Sequence, residues 1–216
     1  MKNIAEILLK SAMTLVAIFI RPNFVFWVKR QHKKLYGYWV SHFFKKAGTK
    51  WLISPFDDLR GAKYISIGSD IIFGEHCFLT AWDSYSTTDG FQTFSPSITI
   101  GNNCHFGAFN HISSSNHIEI GDGFLSGKWV SIVDNAHGKS GFDTFTSPNK
   151  REIYSKGPII IGKNVWIGDK ATILPNVTIG DGSVIGANSV VTKNIPPNSI
   201  WIGNPGRLIK RDYNES

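Results

Sequence analysis

The strongest constraint on the fold of this chain is a six-residue repeat that runs from Ile161 to Pro196. An aliphatic residue opens each hexad, and the fifth place holds only Val, Ala, Ser or Ile. A period of six fits neither an α-helix, with about 3.6 residues per turn, nor the plain alternation of a β-strand. We therefore predict short strands that are interrupted by a turn once in every repeat.

Three hexads in succession would close a triangular turn of about 18 residues, and successive turns would pair as parallel strands about 4.8 Å apart. The first-place aliphatics would stack into a core, and the small fifth-place residues would fit beside them where the coil bends. Glycine at the second place is expected to accept a backbone conformation that a Cβ would oppose. This glycine recurs at four positions of the stretch, Gly162, Gly168, Gly180 and Gly186. The predicted fold class is all-β, a parallel β-helix.

The hexads begin at Ile67 and fail twice, over residues 80–97 and 134–158, which we predict to be loops extruded from the coil. We divide the chain into a basic, apolar, helical appendage (1–60), the β-helix (61–202) and a C-terminal tail (203–216). Functional residues concentrate on loops that a rigid scaffold positions. The two loops are therefore the first places to look for chemistry.

The net charge of +7 resembles that of a nucleic-acid-binding protein, but its distribution argues against one. Residues 1–50 hold ten Lys or Arg residues against Glu6 alone, and the rest of the chain is slightly acidic. Basic residues interleaved with aromatic ones in this segment suit an interfacial helix on an anionic membrane. The alternative is a helical cap that covers the first coil. The longest charge-free run is shorter than the roughly 20 residues that span a bilayer.

Cys77 and Cys104 both fall on fifth places, where a cysteine serves as a small core residue. Two such cysteines give no disulfide framework, so a reducing cytoplasm is the expected location. If residues 1–50 do contact a membrane, the chain would be peripheral on its inner face.

The second loop opens with Asp134-Asn135-Ala136-His137-Gly138. A histidine held by the coil on one side and by a loop on the other could act as a general base near neutral pH. The alternative is an ordinary surface residue, and spacing alone does not separate the two.

Three motifs carry a resemblance to a known family: Val165-Trp166-Ile167-Gly168, Ile185-Gly186-Ala187-Asn188-Ser189 and Gly203-Asn204-Pro205-Gly206-Arg207. They resemble the hexapeptide-repeat O-acetyltransferases of the galactoside and maltose type. The loop at 134–138 is similar to the branch that acetylates surface polysaccharides such as O-antigen and colanic acid. The resemblance covers about residues 98–211 and implies a left-handed coil, a homotrimer and transfer from acetyl-CoA to a saccharide hydroxyl, with no metal.

Under this resemblance, His137 matches the catalytic histidine, and Asp134 or Asn135 is expected to orient its imidazole. Asn110 matches an asparagine that accompanies the histidine, although an asparagine packed at a bend is the alternative. Trp82 and Tyr85 of the first loop offer stacking surfaces for a sugar, or they pack over the coil.

The resemblance also implies the coenzyme contacts. The backbone N–H of Asp169 would help to hold the thioester oxygen, and Arg207 and Lys210 would meet the phosphates. Gly206 departs mildly from the family pattern, which usually has Ala or Cys there. The complete set of implied coenzyme-binding residues is Trp166, Gly168, Asp169, Ala187, Thr192, Lys193, Arg207 and Lys210.

His137 and Trp166 are predicted to end different sides of the triangle, about 16 Å apart at roughly 3.3 Å per residue. We therefore expect His137 of one subunit to meet Trp166 of its neighbour.

Two alternative functions are compatible with the same fold. A γ-type carbonic anhydrase would bind zinc through three histidines, and His105, His111 and His117 are spaced six apart. On successive sides of a triangle, however, they would point in different directions. The other reading is a membrane-tethered scaffold without enzymatic activity.

Overall fold

A computed structural model describes residues 2–138 and 145–211, and within those ranges every side chain except those of Lys2, Phe19, Lys210 and Arg211. Two helices come first, α1 (Lys2–Phe19) and α2 (Pro22–Ser41), and single turns of 3-10 helix follow at Ala62–Tyr64 and Pro148–Lys150. The strands are β1 (Lys46–Ala47), β2 (Trp51–Ile53), β3 (Asp58–Arg60), β4 (Ile65–Ile67), β5 (Ile71–Phe73), β6 (Phe78–Ala81), β7 (Ser84–Thr87), β8 (Gly90–Thr93), β9 (Ser97–Ile100), β10 (His105–Phe106), β11 (His111–Ser114), β12 (His117–Ile120), β13 (Leu125–Ser126), β14 (Ser131–Val133), β15 (Ala136–His137), β16 (Ile153–Tyr154), β17 (Ile159–Ile161), β18 (Trp166–Ile167), β19 (Thr172–Ile173), β20 (Val177–Ile179), β21 (Val184–Ile185), β22 (Val190–Val191), β23 (Ser199–Gly203) and β24 (Gly206–Arg211).

Most strands lie in three sheets, which we name faces A, B and C. Face A contains β1, β4, β9, β12, β17 and β20; face B contains β2, β5, β10, β13, β18, β21 and β23; face C contains β3, β6, β11, β14, β19 and β22. The chain visits A, B and C in turn, and each coil pairs in parallel with the next. The predicted left-handed parallel β-helix is confirmed. We call the corner between face C and the following face A the C–A edge, and that between faces B and C the B–C edge.

The interior of the coil follows the hexad pattern. First-place residues such as Ile161 and Ile167 are buried, and so are fifth-place residues such as Val165 and Ala171. A face spans the end of one hexad and the start of the next, because Val165 and Ile167 point inward on either side of the exposed Trp166. The bend therefore occupies the second to fourth places and not the fifth.

The expected reason for the second-place glycine is wrong. Positive φ occurs at the fourth place, as at Asn164 (55°), Lys170 (60°) and Asn188 (58°). Glycine is required at the second place by close approach, since a Cβ on Gly168 would lie 2.6 Å from the backbone nitrogen of Ala187 in the next coil. Successive coils touch there without an intervening side chain.

Third-place residues connect the coils through hydrogen bonds that the sequence analysis missed. A carboxylate oxygen of Asp181 accepts from the backbone N–H of Lys163 at 2.8 Å, one coil earlier. Asp169 accepts in the same way from Lys128 at 2.9 Å. The frequent Asp and Asn residues of the repeat thus satisfy backbone donors at the corners, where strand pairing stops.

The coil begins earlier than the hexads predict. Strands β1, β2 and β3 lie within the segment assigned to the appendage, and they pair in parallel with β4, β5 and β6. The C-terminal half of α2 covers this first coil through Gly37 and Val40, and the hydroxyl oxygen of Tyr36 accepts from the backbone N–H of Phe56 at 3.3 Å. Half of α2 is therefore a cap.

Both interruptions leave the coil at the C–A edge. The first, after β6, forms an antiparallel hairpin of β7 and β8. The second, after β14, begins and ends with the antiparallel pair β15 and β16. At the far end of the coil, β24 folds back on β23, and residues 212–216 of the predicted tail lie outside the described part of the chain.

Candidate functional site

The two loops meet each other above the C–A edge. The side-chain amide of Gln92, on β8, makes a pair of hydrogen bonds with the backbone of Ile153: its NH2 group donates to the carbonyl at 2.9 Å, and its oxygen accepts from the N–H at 2.7 Å. The Tyr85 hydroxyl donates to the carbonyl of Asn149 at 2.7 Å. The hairpin therefore clamps the returning half of the second loop.

His137 lies at the centre of this contact. It is exposed, and its backbone is paired with Ile153 across β15 and β16, so the residue that Gln92 holds is also the strand partner of the histidine. The Tyr85 ring stands edge-on to the imidazole, with 5.3 Å between centroids and 62° between planes. The hairpin thus positions the imidazole from two sides.

A cavity of about 470 Å³ opens between the hairpin and the second loop, and Gly138, the residue that follows His137, is part of its lining. Its lining includes Thr88, Gln92, Gly138, Arg151 and Glu152. Polar groups of both charges line a space of the size that commonly holds a small ligand.

Asn110 has the alternative role of an asparagine packed at a bend. It is buried, and its NH2 group donates to the carbonyls of Gly107 (2.8 Å) and Gly127 (3.1 Å) and to the Ser126 hydroxyl oxygen (2.9 Å). Its side-chain oxygen accepts from the backbone N–H of Val130 at 2.8 Å. The amide is fully used inside the coil, away from the substrate side.

Asp134 is a buried residue with a structural role, and it lies where the second loop leaves the coil. Its carboxylate accepts from the Ser114 hydroxyl at 2.5 Å and from the backbone N–H groups of Ser115 (2.8 Å) and Asn116 (3.1 Å). Asn135 donates to the same carboxylate at 3.1 Å. These bonds tie one coil to the next, and within the described residues the carboxylate has no bond to His137. The expected orientation of the imidazole therefore falls to Tyr85 and the β16 strand instead of Asp134 or Asn135.

Asp134→Ala is expected to lower the free energy of unfolding by about 3 kcal/mol, because it leaves a buried hydroxyl and two backbone donors without their acceptor. Urea denaturation measures the loss. Asp181→Ala is the matched control, since this exposed carboxylate accepts a single backbone bond, and about 1 kcal/mol is expected there. Equal losses of unfolding free energy in the two variants would contradict this structural role of Asp134. A loss of turnover in Asp134→Ala with unchanged stability would contradict it as well.

Trp82 and Tyr85 are both engaged within the chain. The indole N–H of Trp82 donates to the Ser113 hydroxyl oxygen at 3.1 Å, and the guanidinium of Arg60 lies 4.7 Å from the centre of its ring. Tyr85 supports the second loop as described above. Of the two predicted roles, packing over the coil fits the contacts of Trp82, whereas the contacts of Tyr85 fit neither role because they join the hairpin to the second loop.

The residues implied for coenzyme binding fall into two groups. Trp166 lies half exposed on face B between Leu125 and Val184 of the neighbouring strands, and Gly168, Asp169 and Ala187 follow at the B–C edge. The second group lies elsewhere: Thr192 and Lys193 are exposed at the C–A edge of the last full coil, and Arg207 is exposed on β24. The Lys210 side chain lies outside the described part of the structure.

The three histidines of the zinc alternative lie on three different faces. His105 is on face B, His111 on face C and His117 on face A. They point away from one another, as the spacing predicts. In the described ranges, 2–138 and 145–211, no group of three or more His, Cys, Asp or Glu residues could hold a metal ion.

Residues 158–193 match the family model described as bacterial transferase hexapeptide (six repeats). The Escherichia coli K12 protein WbbJ, named as a lipopolysaccharide biosynthesis O-acetyl transferase, is 31% identical over 165 residues, which cover 67% of this chain and 84% of that protein. A Staphylococcus aureus Mu50 protein named as an acetyltransferase is 51% identical over 80 residues, covering 35% of this chain but only 40% of the relative.

Among solved structures, the chain is similar to a mutant form of AntD, an N-acyltransferase from Bacillus cereus, in complex with dTDP and coenzyme A. The TM-score is 0.64 and the identity 26%, over 80% of this chain and 86% of AntD.

Proposed function

Because this chain belongs to the hexapeptide-repeat acetyltransferase family, we propose that it transfers an acetyl group from acetyl-CoA to a hydroxyl group of a saccharide. A cell-surface polysaccharide or its precursor is the acceptor class that we favour, given the name of the WbbJ relative. One observation of the structure carries the proposal: the imidazole of His137 is exposed and is held against Tyr85 of the hairpin, and His137 immediately precedes Gly138, which lines the cavity between the two loops.

In the proposed mechanism, His137 accepts the proton of the sugar hydroxyl as the oxygen attacks the carbonyl carbon of the thioester. The new carbon–oxygen ester bond forms, and the carbon–sulfur bond breaks. The imidazolium then returns the proton to the departing thiolate, so the products are the acetylated sugar and coenzyme A. A backbone N–H such as that of Asp169 would stabilise the oxyanion between the two steps.

The B–C edge has the properties that the coenzyme requires. Gly168 and Gly186 lie there on successive coils and put no side chain on the edge beside the exposed indole of Trp166, along which the pantetheine arm would lie. Ala187 would contact the arm at the same edge, and Thr192 and Lys193, at the C–A edge, would contact it from the neighbouring subunit. The exposed guanidinium of Arg207, on the final strand, suits the phosphates.

The proposed site needs two subunits. His137 stands at the C–A edge and Trp166 on face B, so the whole of face C separates them within one chain. A homotrimer in which the C–A edge of one subunit faces the B–C edge of the next would bring them together. We place this trimer in the cytoplasm, where the buried, unpaired thiols of Cys77 and Cys104 are stable.

N-acylation of an amino sugar is a second candidate, supported by the likeness to AntD. The two reactions share the base and the donor and differ only in the attacking atom. The cavity beside His137 does not by itself discriminate a hydroxyl from an amine.

Purified protein is expected to release coenzyme A from acetyl-CoA only when an acceptor is present. Thiol release is measured with a panel of oligosaccharides and amino sugars, and the product is then treated with mild alkali. Loss of the acetyl group under alkali identifies an ester, whereas its retention identifies an amide and favours the second candidate. Acetyl-CoA that fails to bind in calorimetry would contradict both candidates and favour the scaffold alternative.

A further inference from the structure

Helix α2 has two apolar faces, and only one of them is used by the coil. Gly37 and Val40 face the first coil and are buried. At about 3.6 residues per turn, Phe24, Val28, Leu35 and Trp39 lie together on the opposite side of the helix. These four side chains, which we name the outer stripe, are all exposed, and Leu35 is 68% accessible.

Helix α1 adds a second exposed apolar surface. Glu6, Lys10 and Thr14 follow at intervals of four and form one narrow polar line, joined by a Glu6–Lys10 ion pair at 3.3 Å and a bond from the Thr14 hydroxyl to the Lys10 carbonyl at 2.9 Å. Large apolar side chains occupy the rest of the helix surface, and all of these are exposed: Ile4, Ile7, Leu8, Leu9, Met13, Leu15, Val16 and Ile18.

The charges around the outer stripe have one sign. Lys29 lies about 80° around the helix axis from Trp39 on one side of the stripe, and Lys34 lies about 80° from Phe24 on the other side. Arg30 lies within about 20° of Gly37, on the side that faces the coil. Lys33 is paired with Glu75 of the coil at 3.5 Å, whereas the other three cations have no acidic partner within 4.0 Å in the described part of the chain. The surface is therefore apolar in the middle and cationic at its margins.

We infer that α1 and the outer stripe of α2 lie in the surface of an anionic phospholipid bilayer. The β-helix would then lie outside the bilayer, attached through the C-terminal half of α2 that caps its first coil. The apolar side chains would enter the acyl boundary, and Lys29 and Lys34 would reach the headgroups. The polar line of α1 favours a helix in the plane of the membrane, because a spanning orientation would bury Glu6 and Lys10 in hydrocarbon.

No single described helix has both the length and the apolar character to cross a membrane, although α1 and α2 taken together pass that test with a 70° bend between them. A second copy of this chain is the other conceivable occupant of the stripe. It would bring like charges together, because Glu6 is the one acidic residue among the first 50. The excess of positive charge is complementary to anionic headgroups instead. This inference does not depend on the acyl-transfer proposal.

The full chain is tested by co-sedimentation with vesicles of equal parts phosphatidylglycerol and phosphatidylcholine, and with pure phosphatidylcholine. Wild-type protein is expected to bind the anionic vesicles, and the neutral ones far more weakly. Phe24→Glu with Leu35→Glu should weaken binding by at least about a hundredfold, since two apolar anchors become charged. Lys29→Gln with Lys34→Gln should weaken it by about thirtyfold, since each cation near the surface contributes about 1 kcal/mol.

Phe91→Glu is the matched control, because Phe91 is 79% accessible and belongs to the hairpin, not to either helix, so its exchange should leave vesicle binding unchanged. Circular dichroism checks that each variant is folded. Equal binding to both vesicle types, or unchanged binding in the two helix variants, would overturn the inference. So would a fall in molar mass by light scattering in the Phe24 and Leu35 variant with vesicle binding retained, because the stripe would then be a contact between copies.

Discussion

Replacement of His137 by alanine is expected to lower kcat by about a hundredfold to ten-thousandfold, the usual contribution of a positioned general base. The side chain is exposed, and its ring contacts the edge of Tyr85, so its removal should leave no cavity in the coil. Acetyl-CoA should still bind in calorimetry, since the implied coenzyme residues lie on face B, at the B–C edge, on β24 or, for Thr192 and Lys193, on a later coil of the C–A edge. The measurement is thiol release under saturating donor and acceptor.

His111→Ala is the control for this variant, because His111 is also an exposed histidine on a strand, one coil earlier on face C. Its turnover should remain that of the wild type. A His137→Ala enzyme whose kcat stays within about threefold of the wild-type value would remove the general-base assignment. A loss of acetyl-CoA binding in the same variant would instead place His137 in the coenzyme site.

The fold was largely predictable because the same hexad pattern recurs in many coils, and each copy predicts the same local geometry. Each first-place aliphatic predicts an inward side chain, and the two loops were found where the register fails. The first coil was missed for a physical reason: one side of it packs on α2, not on another coil, so Ile53, the first-place residue of β2, is followed by Ser54 where a glycine is usual. A pattern that arises from coil-on-coil contact is weakest where that contact ends.

The bend was misplaced although the sequence carried a signal for it. Asn at the fourth place recurs at Asn164, Asn176 and Asn188, and all three have positive φ. Asparagine tolerates the left-handed region better than other residues with a Cβ. The second-place glycine suggested a different position for the bend, because a recurrent glycine can indicate either positive φ or a close approach of the backbone.

Asp134 shows why sequence neighbours mislead in a solenoid. Its place three residues before His137 suggests a catalytic pair, yet its partners Ser114, Ser115 and Asn116 lie 18 to 20 residues earlier. That separation is one coil, so a buried polar group here finds its partner one coil away. The contact between Gln92 and Ile153 spans 61 residues between two loops without period, and no sequence rule predicts it.

The second large effect is expected from mixed trimers. His137→Ala should be inactive for want of a base. Trp166→Glu should lose activity below saturating acetyl-CoA, because it places a charge in the apolar strip between Leu125 and Val184. If each site takes His137 from one subunit and Trp166 from the next, trimers that contain both variants should regain about a third of the wild-type activity. One of the three interfaces in each mixed trimer then has both residues intact.

Co-expression of two tagged variants, followed by purification on both tags, yields the mixed trimers for this assay. Their activity is compared with that of His137→Ala mixed with the double variant, in which every interface lacks a histidine or a tryptophan and no recovery is expected. Recovery only in the first mixture requires a site built from two chains. Absence of recovery in both, with trimers verified by light scattering, would put the base and the coenzyme on one chain. Because face C separates His137 from Trp166 within one chain, the assignment of Trp166 to the coenzyme site, which rests on the family resemblance, would then be abandoned.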